Sequence, residues 1–364
     1  MAHIIDLSDL QFRRVPVDFR SSAGVPQTRW VPVGMPYIPQ NVINAVFYLY
    51  ETMDDALAGN SPQGSGFVVR YEGYGHNSPH ELPTRVPGNH FYGLTNWHVA
   101  VRGGAPIVRL NTLDGQTDII EFGPEDWHCL FGKYDVAVVP LNIDPKIHAV
   151  STISTRSFHF APDPYGPKVG IGDDVFMLGL FVDHAGQATN VPSARFGNVS
   201  MLPNPAAKIP QPTGYRGESY IVDMHSRSGF SGSPVFVYRT FGSDFTNDFR
   251  GEKVELVNFE LSATNSNRAK GRVRVETFFQ FLGIHWGQFP ELWEMKGGKP
   301  LAEARKDLIV DGAYVVGLSG MTCVIPAHHI AEVLEMPALR TLRQPEINAA
   351  MAAEATTVRP EEAN

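Results

Sequence analysis

Short apolar runs, broken at close intervals by Gly, Pro and Asn, dominate the chain after residue 40. Ala45–Tyr50 (AVFYLY), Gly66–Tyr71 (GFVVRY) and Phe91–Thr95 (FYGLT) are rich in Val, Phe and Tyr, the composition of strands. Further runs follow at Ile107–Leu110, Asp118–Phe122 and Val136–Leu141. A Pro-rich break at Ala161–Pro167 (APDPYGP) then separates two halves. The second half resumes at Asp174–Leu180, Gly197–Leu202, Tyr220–Met224, Pro234–Tyr238, Phe279–His285 and Ala313–Leu318. Strands this short, with turns between them, predict an all-β sandwich or barrel. A helix is expected at His328–Leu334, just after Pro326. The reading divides the chain into an N-terminal extension (1–40), a first β unit (41–160), a second (161–338) and a flexible tail (339–364), Ala-rich and acidic, that reads as a frayed helix or as disorder.

Composition narrows the function classes. The 364 residues are 43% hydrophobic and 19% charged, enough to bury a sizeable core. The 34 Gly and 28 Pro favour many turns over long helices. A net charge of -8 disfavours chain-wide attraction to nucleic acid or anionic membrane, and no apolar stretch has the length of a membrane span. No secretory signal is read at the N-terminus. Two cysteines, Cys129 and Cys323, allow one disulfide at most and are expected reduced, which points to the cytoplasm.

Three segments carry chemistry. His98 lies in GLTNWHVA (93–100), after a strand and a polar turn, where an imidazole can act as base and then acid. Asp135 directly precedes the apolar run of YDVAVVPL (134–141), where it can accept a hydrogen bond from imidazole or serve as an ordinary turn residue. Ser231 lies in SGFSGSP (228–234), whose glycines permit a sharp turn that exposes the hydroxyl and converges backbone N–H groups. Alone, that segment reads as a Gly/Ser loop. The order His, Asp, Ser, each beside a strand, is the order of chymotrypsin rather than of the α/β-hydrolases or subtilisin. His76, His80 and His90 have no familiar zinc spacing, so neither metal nor organic cofactor is expected.

From about Gly64 to Leu334 the chain resembles the trypsin-like (chymotrypsin-fold) serine peptidases, chiefly their bacterial branch. GSGFVV (64–69), LTNWHVA (94–100), YDVAVVPL (134–141) and GFSGSPVF (229–236) carry the likeness. The resemblance implies two antiparallel β-barrels with a short C-terminal helix. It implies a triad of His98, Asp135 and Ser231, and an oxyanion hole from the amides of Gly229 and Ser231. The digestive zymogens have Asp before the nucleophile; Phe230 stands here, so their activating ion pair is not available.

GIHWG (283–287) resembles the glutamyl endopeptidases, which implies an S1 pocket walled by His285, Trp286 and Gly287, with Ser226 as its hydroxyl. Picornaviral proteases of this fold use a similar histidine for Gln, so Glu and Gln both stay open at P1. His225 and Arg227 stand ready to add positive charge. An insertion at 239–278, with the basic run Arg268, Lys270, Arg272 and Arg274, suggests a protein regulator or a solvated hairpin, and a second at 288–312 is placed to flank the substrate groove. The expected activity is that of a serine endopeptidase on protein or peptide substrates. The alternative is a protease fold that has lost cleavage and binds peptides or partners.

Overall fold

The structure is a computed structural model of the full chain; it describes residues 14–20, 26–32, 38, 40–74, 86, 88–160, 169–211, 214, 216–239, 258–259, 271–272, 278–294 and 314–357. A hairpin of β1 (Arg14–Arg20) and β2 (Pro26–Pro32) lies within the N-terminal extension. The first unit comprises β3 (Val46–Tyr50), β4 (Gly64–Tyr71), β5 (His90–Thr95), β6 (Ile107–Asn111), β7 (Thr117–Ile120), β8 (Ala137–Leu141) and β9 (Ile153–Ser154). They form one sheet in the order β7-β6-β3-β4-β5-β8, with β9 added parallel to β4.

The second unit contains β10 (Asp174–Gly179), β11 (Ser193–Met201), the short pair β12 (Ile209–Pro210) and β13 (Arg216–Gly217), β14 (Tyr220–Asp223) and β15 (Pro234–Arg239). A second short pair, β16 (Asn258–Phe259) and β17 (Gly271–Arg272), lies within the 239–278 insertion. The unit ends with β18 (Phe278–Glu294) and β19 (Tyr314–Pro326). Six of these strands close a barrel in the order β10-β11-β14-β19-β18-β15. The expected all-β architecture is therefore present as one closed barrel and one half-barrel, finished by helix Ala327–Leu334.

Three apolar clusters explain why the strand runs are almost continuously hydrophobic. Phe47, Leu49, Val68, Val108 and Val139 fill the first unit. Val175, Met177, Val222, Val235 and Val237 fill the barrel. The opposite faces of the same strands supply Phe67, Val69, Phe176, Phe236 and Phe281 to a third cluster, where the two units meet. Strands buried on both faces lose the alternation of a half-exposed sheet. Phe236 stacks on Phe176 and Phe279 at centroid distances of 5.0 and 5.1 Å, and Phe67 reaches Phe281 at 5.3 Å across the seam.

Several elements differ from the sequence reading. Helices form at Gln40–Ile43 (α1) and Met53–Ala58 (α2), where none was expected. Helix α2 is capped by Thr52, whose Oγ1 accepts from Asp55 N at 3.1 Å, and by Gly59 in the left-handed region. Strands β18 and β19 run past the barrel as a ribbon that pairs Pro290 with Leu318 and Glu294 with Tyr314, so the insertion at 288–312 begins as sheet. The rest of that insertion, most of 239–278, and His76 and His80 lie outside the described residues.

The tail, read from its sequence as a frayed helix or a disordered segment, is helical from Pro337 to Thr357. After Ala327–Leu334 (α3), Pro337–Thr357 forms a second helix, α4. It is anchored by fully buried Leu339 and by Arg343, which is 4% exposed. Arg343 donates to Leu334 O at 2.6 Å and to Glu335 Oε2 at 2.8 Å, and its guanidinium lies 4.0 Å from the Tyr71 ring centroid. Arg340 Nε donates to the same Glu335 oxygen at 2.7 Å.

Arg343→Ala would leave the buried Glu335 carboxylate with Arg340 as its remaining cationic partner and is expected to cost ~2 kcal/mol in chemical denaturation. Burial pushes the Glu335 pKa up, but the Arg343 charge and the Arg340 hydrogen bond outweigh it, so the net shift is downward. A depressed folded pKa stabilises above the unfolded value and is lost as pH falls through the folded one. The gap between wild type and variant is therefore expected to narrow below about pH 4.5.

Candidate active site

His98 and Asp135 are brought together by strand pairing. Thr95, the last residue of β5, pairs with Ala137, the first of β8. His98 follows β5 through Asn96 and Trp97, and Asp135 lies just before β8, so both occupy one end of the pair. The His98 backbone N–H donates to Asp135 Oδ1 at 2.9 Å, and His98 Nδ1 lies 2.6 Å from Asp135 Oδ2. Asp135 is fully buried, while the His98 side chain is 22% exposed. A carboxylate taken out of water needs such donors. The Asp135 carbonyl accepts from Asn96 Nδ2 at 2.8 Å, and its N–H donates to Gln211 Oε1 at 3.3 Å. An imidazole clamped through Nδ1 presents Nε2 as its free proton acceptor.

Ser231 lies in a tight turn at the seam. Its carbonyl accepts from Ser65 N on β4 at 2.9 Å. Gly232 N–H donates to His285 O at 3.0 Å, and His285 N–H donates to Ser233 O at 2.9 Å, tying the turn to β18. Gly229 and Gly232 have φ of +95° and +86°, which other residues rarely adopt. Among the described residues the N–H groups of Gly229 and Ser231 have no protein acceptor. Ser231 Oγ makes no hydrogen bond to His98 in this structure. Phe230 is fully buried in the barrel cluster, so an apolar anchor occupies the position where zymogens place an acid.

Ser65 was overlooked as a site residue. Its Oγ donates to Gly229 O at 2.8 Å and accepts from Leu180 N at 2.8 Å, and its own carbonyl accepts from Thr95 Oγ1 at 2.7 Å. It thereby joins the Ser231 turn, β10 and the strand leading to His98. The only sequence signal was a serine inside an otherwise apolar run.

Ser226 and His285 also meet, with Ser226 Oγ 3.0 Å from His285 Nε2. The other ring nitrogen, Nδ1, lies 3.2 Å from Cys323 O, so it carries the proton. Burial pushes the His285 pKa down to about 4, leaving a neutral ring at pH 7. Trp286 falls at a shift in the β18–β19 register and donates from Nε1 to Ser219 Oγ at 3.0 Å. Gly287 adjoins it with open space where a side chain would be. His225 is exposed, and Arg227 is 64% exposed and faces Asp183 at 3.8 Å. His90 is buried against Glu346 of α4. Cys129 and Cys323 are not joined in a disulfide.

A methyl group at Gly232 would lie 1.9 Å from Ser65 O, whereas one at Gly287 meets nothing within 4 Å. Gly232→Ala is expected to lose at least ~2 kcal/mol in urea denaturation. Gly287→Ala should stay within ~0.5 kcal/mol of wild type.

No protein-family model matches the chain, and no curated protein sequence does. Among solved structures, three of Rv3671c, a protein of M. tuberculosis, are similar to this chain at low identity. The inactive form of a serine-to-alanine mutant has a TM-score of 0.36 at 15% identity, covering 84% of this chain and 95% of the other. The inactive form of the Rv3671c protease has a TM-score of 0.34 at 15% identity, covering 81% and 92%. Its active form has a TM-score of 0.35 at 16% identity, covering 81% and 83%.

Proposed function

We propose that this chain is a serine endopeptidase with Ser231 as nucleophile. The observation that carries the proposal is the clamp on His98: a fully buried Asp135 holds both its backbone N–H and its Nδ1, beside a turn whose amides are unengaged. Ser231 Oγ attacks the peptide carbonyl carbon while His98 Nε2 takes its proton. The Gly229 and Ser231 N–H groups hold the resulting oxyanion. The C–N bond then breaks as His98 returns the proton to the leaving amine. Water, deprotonated by the same His98, hydrolyses the acyl-enzyme. The Ser231–His98 contact closes when substrate binds, since such bonds are often long in the free enzyme. No step calls for a metal or organic cofactor.

A fluorophosphonate probe is expected to label the wild-type chain once, at Ser231, and to leave Ser231→Ala and His98→Ala unlabelled. Asp135→Asn should lower kcat by roughly ten-thousand-fold with little change in fold. Failure of the folded wild type to react would favour a binding protein that has lost cleavage.

The proposal extends to a Glu or Asp preference at P1, set by Ser226 and His285 with Trp286 and Gly287 as the wall. In the free pocket Nε2 of His285 is an acceptor, so a carboxylate binds there only when the ring takes a second proton. Its pKa of about 4 must rise on binding, which costs affinity at high pH. The preference for Glu over Gln, as a ratio of kcat/KM on matched peptides, is therefore expected to increase from pH 8 to pH 5 and to disappear in His285→Ala. Preferred cleavage after Arg, Lys or a large aromatic residue would defeat it. A narrow substrate set or gating by a partner on the insertions, in a cytoplasmic setting, completes the proposal.

A further inference from the structure

Helix α3 opens with His328 and His329, and neither is used by the chemistry above. Glu218, in the link between β13 and β14, reaches the same place. One ligand atom from each of the three lies within 4.8 Å of the others. His329 is 7% exposed, and both of its ring nitrogens are buried without a hydrogen-bond partner, as is Nδ1 of His328. Buried imidazole nitrogens normally find partners. Packing accounts for one face only: the His329 ring stacks on Tyr134 at 4.2 Å and 24°. It gives the ring nitrogens nothing.

We infer that Glu218, His328 and His329 form a binding site for a divalent transition metal, of which zinc is the natural probe. Two imidazoles and a carboxylate suit zinc and leave a fourth position for water. A tetrahedral zinc with bonds of 2.0–2.1 Å needs ligand atoms about 3.4 Å apart, so small side-chain rotations close the cluster. The surroundings match what a zinc histidine requires. His329 Nδ1 lies 3.6 Å from Glu332 Oε1, beyond hydrogen-bond distance, so a small rotation that turns Nε2 to the metal would also give the ring an orienting carboxylate. Glu332 is itself fixed by Tyr134 O–H at 2.9 Å and by Lys133 Nζ at 2.5 Å.

The site would tie two parts of the active region together. Glu218 adjoins Ser219, which holds Trp286 of the pocket wall. His329 stacks on Tyr134, the residue before Asp135. Metal would join these two segments through the head of α3, without touching Ser231 or His98.

The test is calorimetric titration of the metal-stripped full chain with zinc at pH 7.5, together with thermal unfolding. One equivalent is expected to bind, and Tm should rise by roughly 5 °C at a hundredfold excess over Kd. His329→Gln is expected to weaken binding at least about 100-fold, and Glu218→Gln by about 10-fold. Glu218 is half-buried with no other hydrogen-bond partner among the described residues, so its variant should keep the fold, checked by circular dichroism. Folded wild type that binds no zinc would overturn the inference. So would zinc binding that Glu218→Gln and His328→Ala leave unchanged, since that would place the metal elsewhere. These readouts do not depend on catalysis, so they stand apart from the protease proposal.

Discussion

A carboxylate buried at the seam between two β units is the constraint around which this chain is arranged. Removing an ionised Asp from water costs several kcal/mol unless its lone pairs are met by donors. Asp135 meets that demand at every polar atom. Oδ1 accepts from the His98 amide, Oδ2 faces His98 Nδ1, the carbonyl accepts from Asn96, and the N–H donates to Gln211. Three of these partners require the β5–β8 register that aligns Thr95 with Ala137. The fourth, Gln211, comes from the link between β12 and β13, so the Asp135 backbone N–H is satisfied only when the second unit is docked. Burial of this group therefore couples strand register, unit docking and imidazole orientation in one condition.

The turn carrying Ser231 obeys a similar condition with different chemistry. Its backbone is held by β4 through Ser65 and by β18 through His285, one strand from each unit. Gly232 allows the chain to pass close to Ser65, where a side chain would collide with backbone. Phe230 anchors the turn from within the barrel. An apolar anchor needs no cleavage event to form, unlike an ion pair made by a new terminus. The conformation that leaves the Gly229 and Ser231 amides unengaged is thus built into the packing.

Much of this was legible in the sequence because strands buried on both faces produce long apolar runs. Ala45–Tyr50 and Gly66–Tyr71 read plainly for that reason, and so did the three segments carrying His98, Asp135 and Ser231. What escaped depends on distant partners. Ser65 gains its role only from Gly229, 164 residues away. Helix α4 has a polar, Ala-rich sequence with little apolar periodicity. Its stability comes from Arg343 buried beside Glu335 and Tyr71, which no local pattern displays. The caps of α2 were a different kind of miss. Thr52, Asp55 and Gly59 spell a helix start and stop within eight residues, but the strands on either side drew the reading.

The closing helix deserves a larger place than a cap. The strand end that bears Asp135 begins at Lys133 and Tyr134, and both side chains bind Glu332 of α3. Tyr134 is also stacked on His329 of the same helix. Asp135 is thus fixed from the front by His98 and from behind, through its neighbours, by a helix about 200 residues downstream. Helix α4 in turn holds α3, since Arg343 spans from Leu334 O to Glu335 at its end. The C-terminal helices therefore act as a brace on the acid of the site, and the geometry at His98 depends on a part of the chain that contributes nothing to the pocket itself.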